Sequence, residues 1–216
     1  MQKQLLLGVE AIAQGAIDSG ISGVYAYPGT PSTEITEYIQ NSKEAIARNV
    51  HRAWAANEKT AMESALGMSY AGKRALVCMK HVGMNVAADC FMNAAITGAN
   101  GGLVVTAADD PSMHSSQNEQ DSRVYGKFAF VPVLEPSNQQ EAYEMTRYGF
   151  ALSETVGSPV LMRITTRLAH SVPESKRTIV CRKIICTCRR INASSYCSRL
   201  SPVNAINSYL RNKRIL

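Results

Sequence analysis

Two stretches of this chain, "RALVCMK" (74–80) and "GLVVTAA" (102–108), are apolar at nearly every position. A strand with one wet face alternates apolar and polar residues. These do not alternate, so they belong in a sheet covered on both sides. Parallel neighbours also need long crossovers. Segments of helical period supply them at 4–19, 31–41, 57–71, 84–98 and 138–155. Shorter strand patterns occur at 23–29, 131–136 and 159–165. The reading is an α/β fold, a mainly parallel sheet with helices on both faces. A chain of 216 residues suffices for one or two domains of this kind.

Charge divides the chain unevenly. Residues 1–170 hold 13 Lys+Arg against 16 Asp+Glu, a balance of −3, while residues 171–216 hold 10 against one, a balance of +9. Four of six cysteines, Cys181, Cys186, Cys188 and Cys197, also lie beyond residue 171. The expected organisation is a body over 1–170 and a basic, irregular tail over 171–216. The tail's C-x4-C-x-C-x8-C spacing fits neither a zinc finger nor the bacterial iron–sulfur run, so no metal ligands are assigned. Its charge lacks interleaved aromatic residues, which argues against nucleic-acid binding. No apolar run reaches some 18 residues, so no membrane span is expected. "LLLGV" is too short for a signal-peptide core, and a cytoplasmic location is the expectation.

Ligands of open parallel sheets sit outside the carboxyl ends of the strands. Three segments occupy such positions: "YPGTPS" (27–32), "KHVGMN" (80–85) and "ADDPSMHSSQNEQ" (108–120). Their convergence predicts one site. Thr30 is placed as an N-cap followed by Pro31 in the first helical turn, a place suited to a carboxylate or phosphate. It can equally be a plain helix cap. Lys80 and His81 stand beside Gly83, which permits close backbone approach. The same segment can also be an ordinary strand-to-helix turn. His114 is a loop histidine, a type most often merely solvated. "GANGG" (98–102) precedes a strand, so it reads as a helix C-cap instead of a dinucleotide fingerprint.

Glu58 opens a helix with small residues on successive turns, among them Ala61, Ala65, Gly67 and Ser69. That surface predicts close approach by a backbone or a flat ligand. An acid in a first helical turn is also stabilised by the helix dipole alone. Glu63, five residues on, faces elsewhere.

Taken together, "AYPGTPSTEI", "NEKTAMESALGMSYAGKRAL", "MKHVGMNVAAD", "ADDPSMHSSQNEQDSR" and "VPVLEPSNQQEA" resemble the pyrimidine-binding domain of thiamine-diphosphate-dependent 2-oxoacid:ferredoxin oxidoreductases. Within that family they are most similar to the N-terminal region of the indolepyruvate ferredoxin oxidoreductase large subunit. The resemblance runs from about residue 4 to 170. It implies a thiamine-diphosphate-binding fold and a role for Glu58. In such enzymes a glutamate at this place bonds N1′ of the aminopyrimidine, favouring the imino tautomer whose nitrogen takes the C2 proton. It further implies that Lys80, His81, Gly83 and Asn85 lie at the cofactor. Thr30 and His114 are then placed toward the substrate. An arginine that pyruvate-specific relatives use is not evident where this chain reads "VTAADDP", which favours an aryl 2-oxoacid.

The family's large subunit continues into a diphosphate-binding domain with magnesium and a ferredoxin-like domain with iron–sulfur clusters. No such signatures occur here. The resemblance therefore implies oxidative decarboxylation of indolepyruvate, with coenzyme A and ferredoxin as partners, only when complementary domains join this chain. A homodimer or a partner subunit is expected, and the isolated chain is expected to be inactive. The alternative is a non-catalytic, truncated module of the same fold that only dimerises or binds.

Overall fold

The structure is a computed structural model, and it describes residues 2–171 and 179–181. In chain order its elements are β1 (Gln2–Gln4), α1 (Gly8–Asp18), β2 (Gly23–Ala26), α2 (Thr33–Asn41), α3 (Lys43–Ala47), β3 (His51–Trp54), α4 (Glu58–Tyr70) and β4 (Ala75–Lys80). There follow α5 (His81–Thr97), β5 (Leu103–Asp109), α6 (Arg123–Ala129), β6 (Val133–Leu134), α7 (Gln139–Val156), β7 (Val160–Thr165), α8 (Thr166–Ala169) and β8 (Ile179–Cys181).

Six strands form one sheet in the order β3-β2-β4-β5-β7-β6, every pair parallel. The two unalternating runs are β4 and β5, side by side near its centre with Cys78 opposite Thr106. Their side chains feed two separate cores. Leu76, Cys78, Val104 and Ala108 pack under α1, α2 and α7, whereas Val77, Met79, Val105 and Ala107 pack under α4, α5 and α6. Successive side chains of a strand point to opposite faces. A run that is apolar throughout must therefore find cover on both.

The placement of helices follows from one handedness of crossover. Connections that move toward the β3 edge, through α2 and α7, cross on the first face. Those that move toward the β6 edge, through α4, α5 and α6, cross on the second. That division is what uniformly right-handed parallel crossovers require. On the first face α1 and α7 approach closely at Gly15, where a Cβ would stand 2.8 Å from the Tyr143 carbonyl oxygen.

Several boundaries differ from those read in the sequence. The first helix starts at Gly8 instead of residue 4, and residues 2–4 form β1. The strand read at 131–136 shrinks to Val133–Leu134. The elements α3, β3 and α6 have patterns too short to stand out, yet β3 is a full member of the sheet. Three residues of the basic segment, Ile179–Cys181, pair antiparallel with β1. Residues 172–178 and 182–216, with Cys186, Cys188 and Cys197, lie outside the described residues. Among the described residues no helix is long and apolar enough to cross a membrane.

Candidate functional site

Because all six strands run the same way, their carboxyl ends share one edge of the sheet. There β2 delivers "YPGTPS", β3 leads into α4, β4 passes directly into α5, and β5 ends in Asp109 with Asp110 next.

Glu58 is the first residue of α4. Asn57 caps that helix, its side-chain oxygen accepting the Thr60 amide at 2.8 Å and the Thr60 hydroxyl at 3.1 Å. With Asn57 serving as the cap, Glu58 is left out of the capping bonds. The Glu58 carboxylate has no hydrogen-bond or ion-pair partner among the described residues. Its stem lies against Gly83 of α5, where a Cβ would stand 2.6 Å from Cγ, 2.7 Å from Oε1 and 2.9 Å from Cδ. Only glycine leaves room for the side chain. Lys59 ties the same two helices together through Asp89 at 3.0 Å. Glu63 is exposed, as its phase on the helix implies.

The small residues of α4 divide by face. Ala61, Ala65 and Ser69 are buried within the second core and at its edge, so α4 lies close to α5 and the sheet. Ser69 donates to the Gly101 carbonyl at 2.5 Å. Gly67 faces open space, with no described atom within 4 Å of a Cβ built there. Most of the stripe serves helix packing, and a flat ligand is not needed to explain it.

"KHVGMN" is not a loop. Lys80 is the N-cap of α5, and His81 through Asn85 form its first turn and the start of its second. His81 is fully buried. Its Nε2 lies 3.0 Å from the Asn118 side-chain oxygen and 3.2 Å from the Asn118 carbonyl oxygen. Two acceptors there place the proton on Nε2. Its Nδ1 is buried without a hydrogen-bond partner among the described residues. Lys80 donates to the Ser115 carbonyl at 2.7 Å, and its Cβ lies 3.2 Å from where a Gly29 Cβ would be. Asn85 accepts a short hydrogen bond from the Tyr125 hydroxyl of α6. Burial raises the Tyr125 hydroxyl above its ordinary range.

Thr30 is not the N-cap of α2. The helix begins at Thr33, Ser32 occupies the cap position, and the Thr30–Pro31 peptide is cis. The turn is closed by other side chains: Gly29 N–H donates to Thr33 Oγ1 at 2.8 Å, and Ser32 Oγ to the Gly29 carbonyl at 2.7 Å. Thr30 itself is exposed, and its hydroxyl has no hydrogen-bond partner among the described residues. His114 is also exposed, contributing its backbone amide to Asp110 at 3.2 Å.

The three segments are thus joined by contacts. Gly29 touches Lys80, Lys80 holds Ser115, and His81 holds Asn118. Glu58 joins through Gly83 and Asn85 through Tyr125. The sequence reading missed the acids that shape the third segment. Asp110 is buried and accepts from the His114 amide, the Ser115 amide at 2.8 Å and the hydroxyls of Ser115 and Ser116. Burial pushes its carboxyl up; hydrogen bonds from Ser116, Ser115 and His114, with the Lys80 charge, outweigh that and hold it at about 2. Asp109, also buried, pairs with Arg163 of β7 at 2.6 Å. The available signal was "AADD" closing an apolar strand, since acids at the end of a buried strand must be paired.

Residues 14–180 match the family described as "Pyruvate flavodoxin/ferredoxin oxidoreductase, thiamine diP-bdg". The chain belongs to that family. The match reaches into the basic segment, as far as β8. The indolepyruvate oxidoreductase subunit IorA of Pyrococcus horikoshii is 53% identical over 169 residues, which are 78% of this chain and 26% of that protein. Its counterpart in Thermococcus kodakarensis is 52% identical over 172 residues, 79% of this chain and 26% of that one. The 2-oxoglutarate synthase subunit KorA of Methanocaldococcus jannaschii is 26% identical over 176 residues, 79% of this chain and 48% of that protein. A solved 2-oxoglutarate:ferredoxin oxidoreductase from Magnetococcus marinus shares the fold with a TM-score of 0.68 at 22% identity, over 78% of this chain and 30% of its own. The chain spans about a quarter of the length of the IorA relatives.

The residues present fit the pyrimidine end of thiamine diphosphate. An unpartnered carboxylate stands at the head of α4, beside a glycine that leaves it room. Among the described residues no group of three or more His, Cys, Asp or Glu side chains could hold a metal ion.

Proposed function

We propose that this chain is the pyrimidine-binding part of an indolepyruvate, or aryl 2-oxoacid, ferredoxin oxidoreductase. The observation that carries the reading is the free Glu58 carboxylate seated against Gly83, in a stretch of 169 residues 53% identical to an IorA subunit. When bound, thiamine diphosphate supplies the carbanion chemistry that cleaves the bond between a 2-oxoacid's carboxylate and carbonyl carbons. Glu58, the first residue of α4, shares a proton with the aminopyrimidine when the cofactor is bound. Lys80, His81, Gly83 and Asn85, on the first turns of α5, line the aminopyrimidine side. Thr30, with its free hydroxyl, and His114 face the 2-oxoacid.

The diphosphate, its magnesium and the iron–sulfur clusters are held by sequence other than these 216 residues, on a partner chain or domain. Coenzyme A and ferredoxin act on the assembly so completed. The product is an aryl-acetyl-CoA with carbon dioxide and two electrons passed to ferredoxin. A second copy of the chain or a partner subunit closes the site, and the assembly works in the cytoplasm.

The test is Glu58→Gln in an assembly that turns over. Exchange of the cofactor's C2 proton and 2-oxoacid oxidation should both fall by about 100-fold or more, as expected for loss of a general acid–base contact. Glu63→Gln is the control and should be mild. Normal C2 exchange in Glu58→Gln refutes the assignment.

A further inference from the structure

The mechanism makes no use of the densest ionic cluster among the described residues. It lies at the base of the 110–121 segment. Arg163 of β7 is 8% exposed, and its Nε donates to Asp109 Oδ2 at 2.6 Å. The same Asp109 carboxylate accepts the Ser122 amide at 3.0 Å and, in a short bond, the Ser122 hydroxyl. Arg163 also stands 3.7 Å from Asp121 and donates a short bond from Nη1 to Glu135. Arg123 closes the circuit, reaching Asp121 at 2.6 Å and Glu135 at 3.2 Å.

Asp109 precedes the segment and Ser122 follows it. One buried carboxylate therefore fastens both ends of a twelve-residue loop, and one guanidinium holds that carboxylate. The loop so fastened brings Ser115 to Lys80 and Asn118 to His81, while Asp110 within it holds the His114 amide. At its tip Ser112 and Met113 adopt φ values of 69° and 53°. Consecutive left-handed residues that are neither glycine nor asparagine are costly and persist only where their surroundings hold them.

We propose that Arg163 is a positioning residue: through Asp109, Ser122, Asp121 and Glu135 it sets the 110–121 segment against Lys80 and His81. The loop's consequence for the 2-oxoacid rests on the thiamine reading above; the mechanical role does not. Arg163 reaches Asp109 from Nε and Glu135 from Nη1, two nitrogens spread across one rigid plane, a span that the single nitrogen of an ammonium does not reproduce.

The test is amide hydrogen exchange on the full chain with Arg163→Lys and, separately, Ser122→Ala, which leaves the Arg163–Asp109 pair in place. Both should speed exchange at Ser112, His114 and Ser115 by about tenfold or more while the β4 amides keep their wild-type rates. In the assembled enzyme both should raise KM for the 2-oxoacid. Wild-type exchange in the loop overturns the proposal. So does equal acceleration throughout the sheet, which marks ordinary support of the fold. If the loop responds but Glu58→Gln leaves C2 exchange intact, the positioning role stands and the thiamine reading falls. If Glu58→Gln abolishes C2 exchange and the loop does not respond, the reverse holds.

Discussion

Gly83→Ala places a methyl group where the Glu58 side chain lies. The new Cβ would meet Glu58 Cγ at 2.6 Å and Oε1 at 2.7 Å. Ordinary carbon contacts begin near 3.5 Å, so Glu58 must retreat by about 0.9 Å. The obstacle is a half-exposed side chain, which can swing toward solvent. Overpacking costs about 1–3 kcal/mol, and replacing glycine in a helix returns up to about 1 kcal/mol. The net loss of at most about 3 kcal/mol lowers Tm by no more than about 12 °C in a chain of this size. The consequence for a placed carboxylate is larger, since a displacement of about 1 Å can cost about 100-fold. The assay pairs calorimetry of the chain with C2-proton exchange in the assembled enzyme. Exchange should fall by about 100-fold while Tm stays within that bound and the chain stays folded at the assay temperature. Normal exchange shows that Glu58 is not positioned by Gly83. A larger loss of Tm, with exchange lost in proportion to unfolded protein, shows that the contact is only packing.

Asp110→Asn should flatten acid denaturation. The Asp110 pKa is depressed to about 2, so its stabilisation is fully present above the ordinary carboxylate value of about 3.9 and is lost as pH falls through 2. The difference in urea stability between wild type and variant should shrink from at most about 2 kcal/mol at pH 6 toward zero at pH 2; a difference independent of pH refutes the ionised cradle. Thr30→Val should raise KM for the 2-oxoacid several-fold with unfolding unchanged within about 0.5 kcal/mol, because its hydroxyl holds no described group. A fall in Tm alone would make Thr30 a structural residue. A chain stopped after Glu174 loses β8, and β1 loses its partner. It should keep one cooperative unfolding transition, since a three-residue ribbon adds little by itself, and loss of that transition in calorimetry contradicts this.

What the amino-acid sequence determined alone was the class of fold and the sheet edge on which the three segments meet. The unalternating apolar runs 74–80 and 102–108 have one stable placement, inside a parallel sheet, and parallel strands put all their carboxyl ends together. Glu58 stood out as an acid opening a helical pattern, but its role came only from the resemblance, since an acid in a first helical turn has the helix dipole as sufficient reason. The tertiary structure decided what depends on residues distant in the chain. That Thr30 leaves the capping of α2 to Ser32 and Thr33 is a matter of local hydrogen bonds, which no periodicity reports. The start of α5 at His81 was hidden because β4 passes into the helix with no loop between them. Gly83 acquires its meaning only from Glu58, twenty-five residues earlier. Arg163 and Asp109 are separated by 54 residues and meet only because β7 returns beside β5. Sequence pattern records which faces must be buried. Pairing between charges is recorded only in the topology, since any of several carboxylates could have met that guanidinium until the order of strands was set.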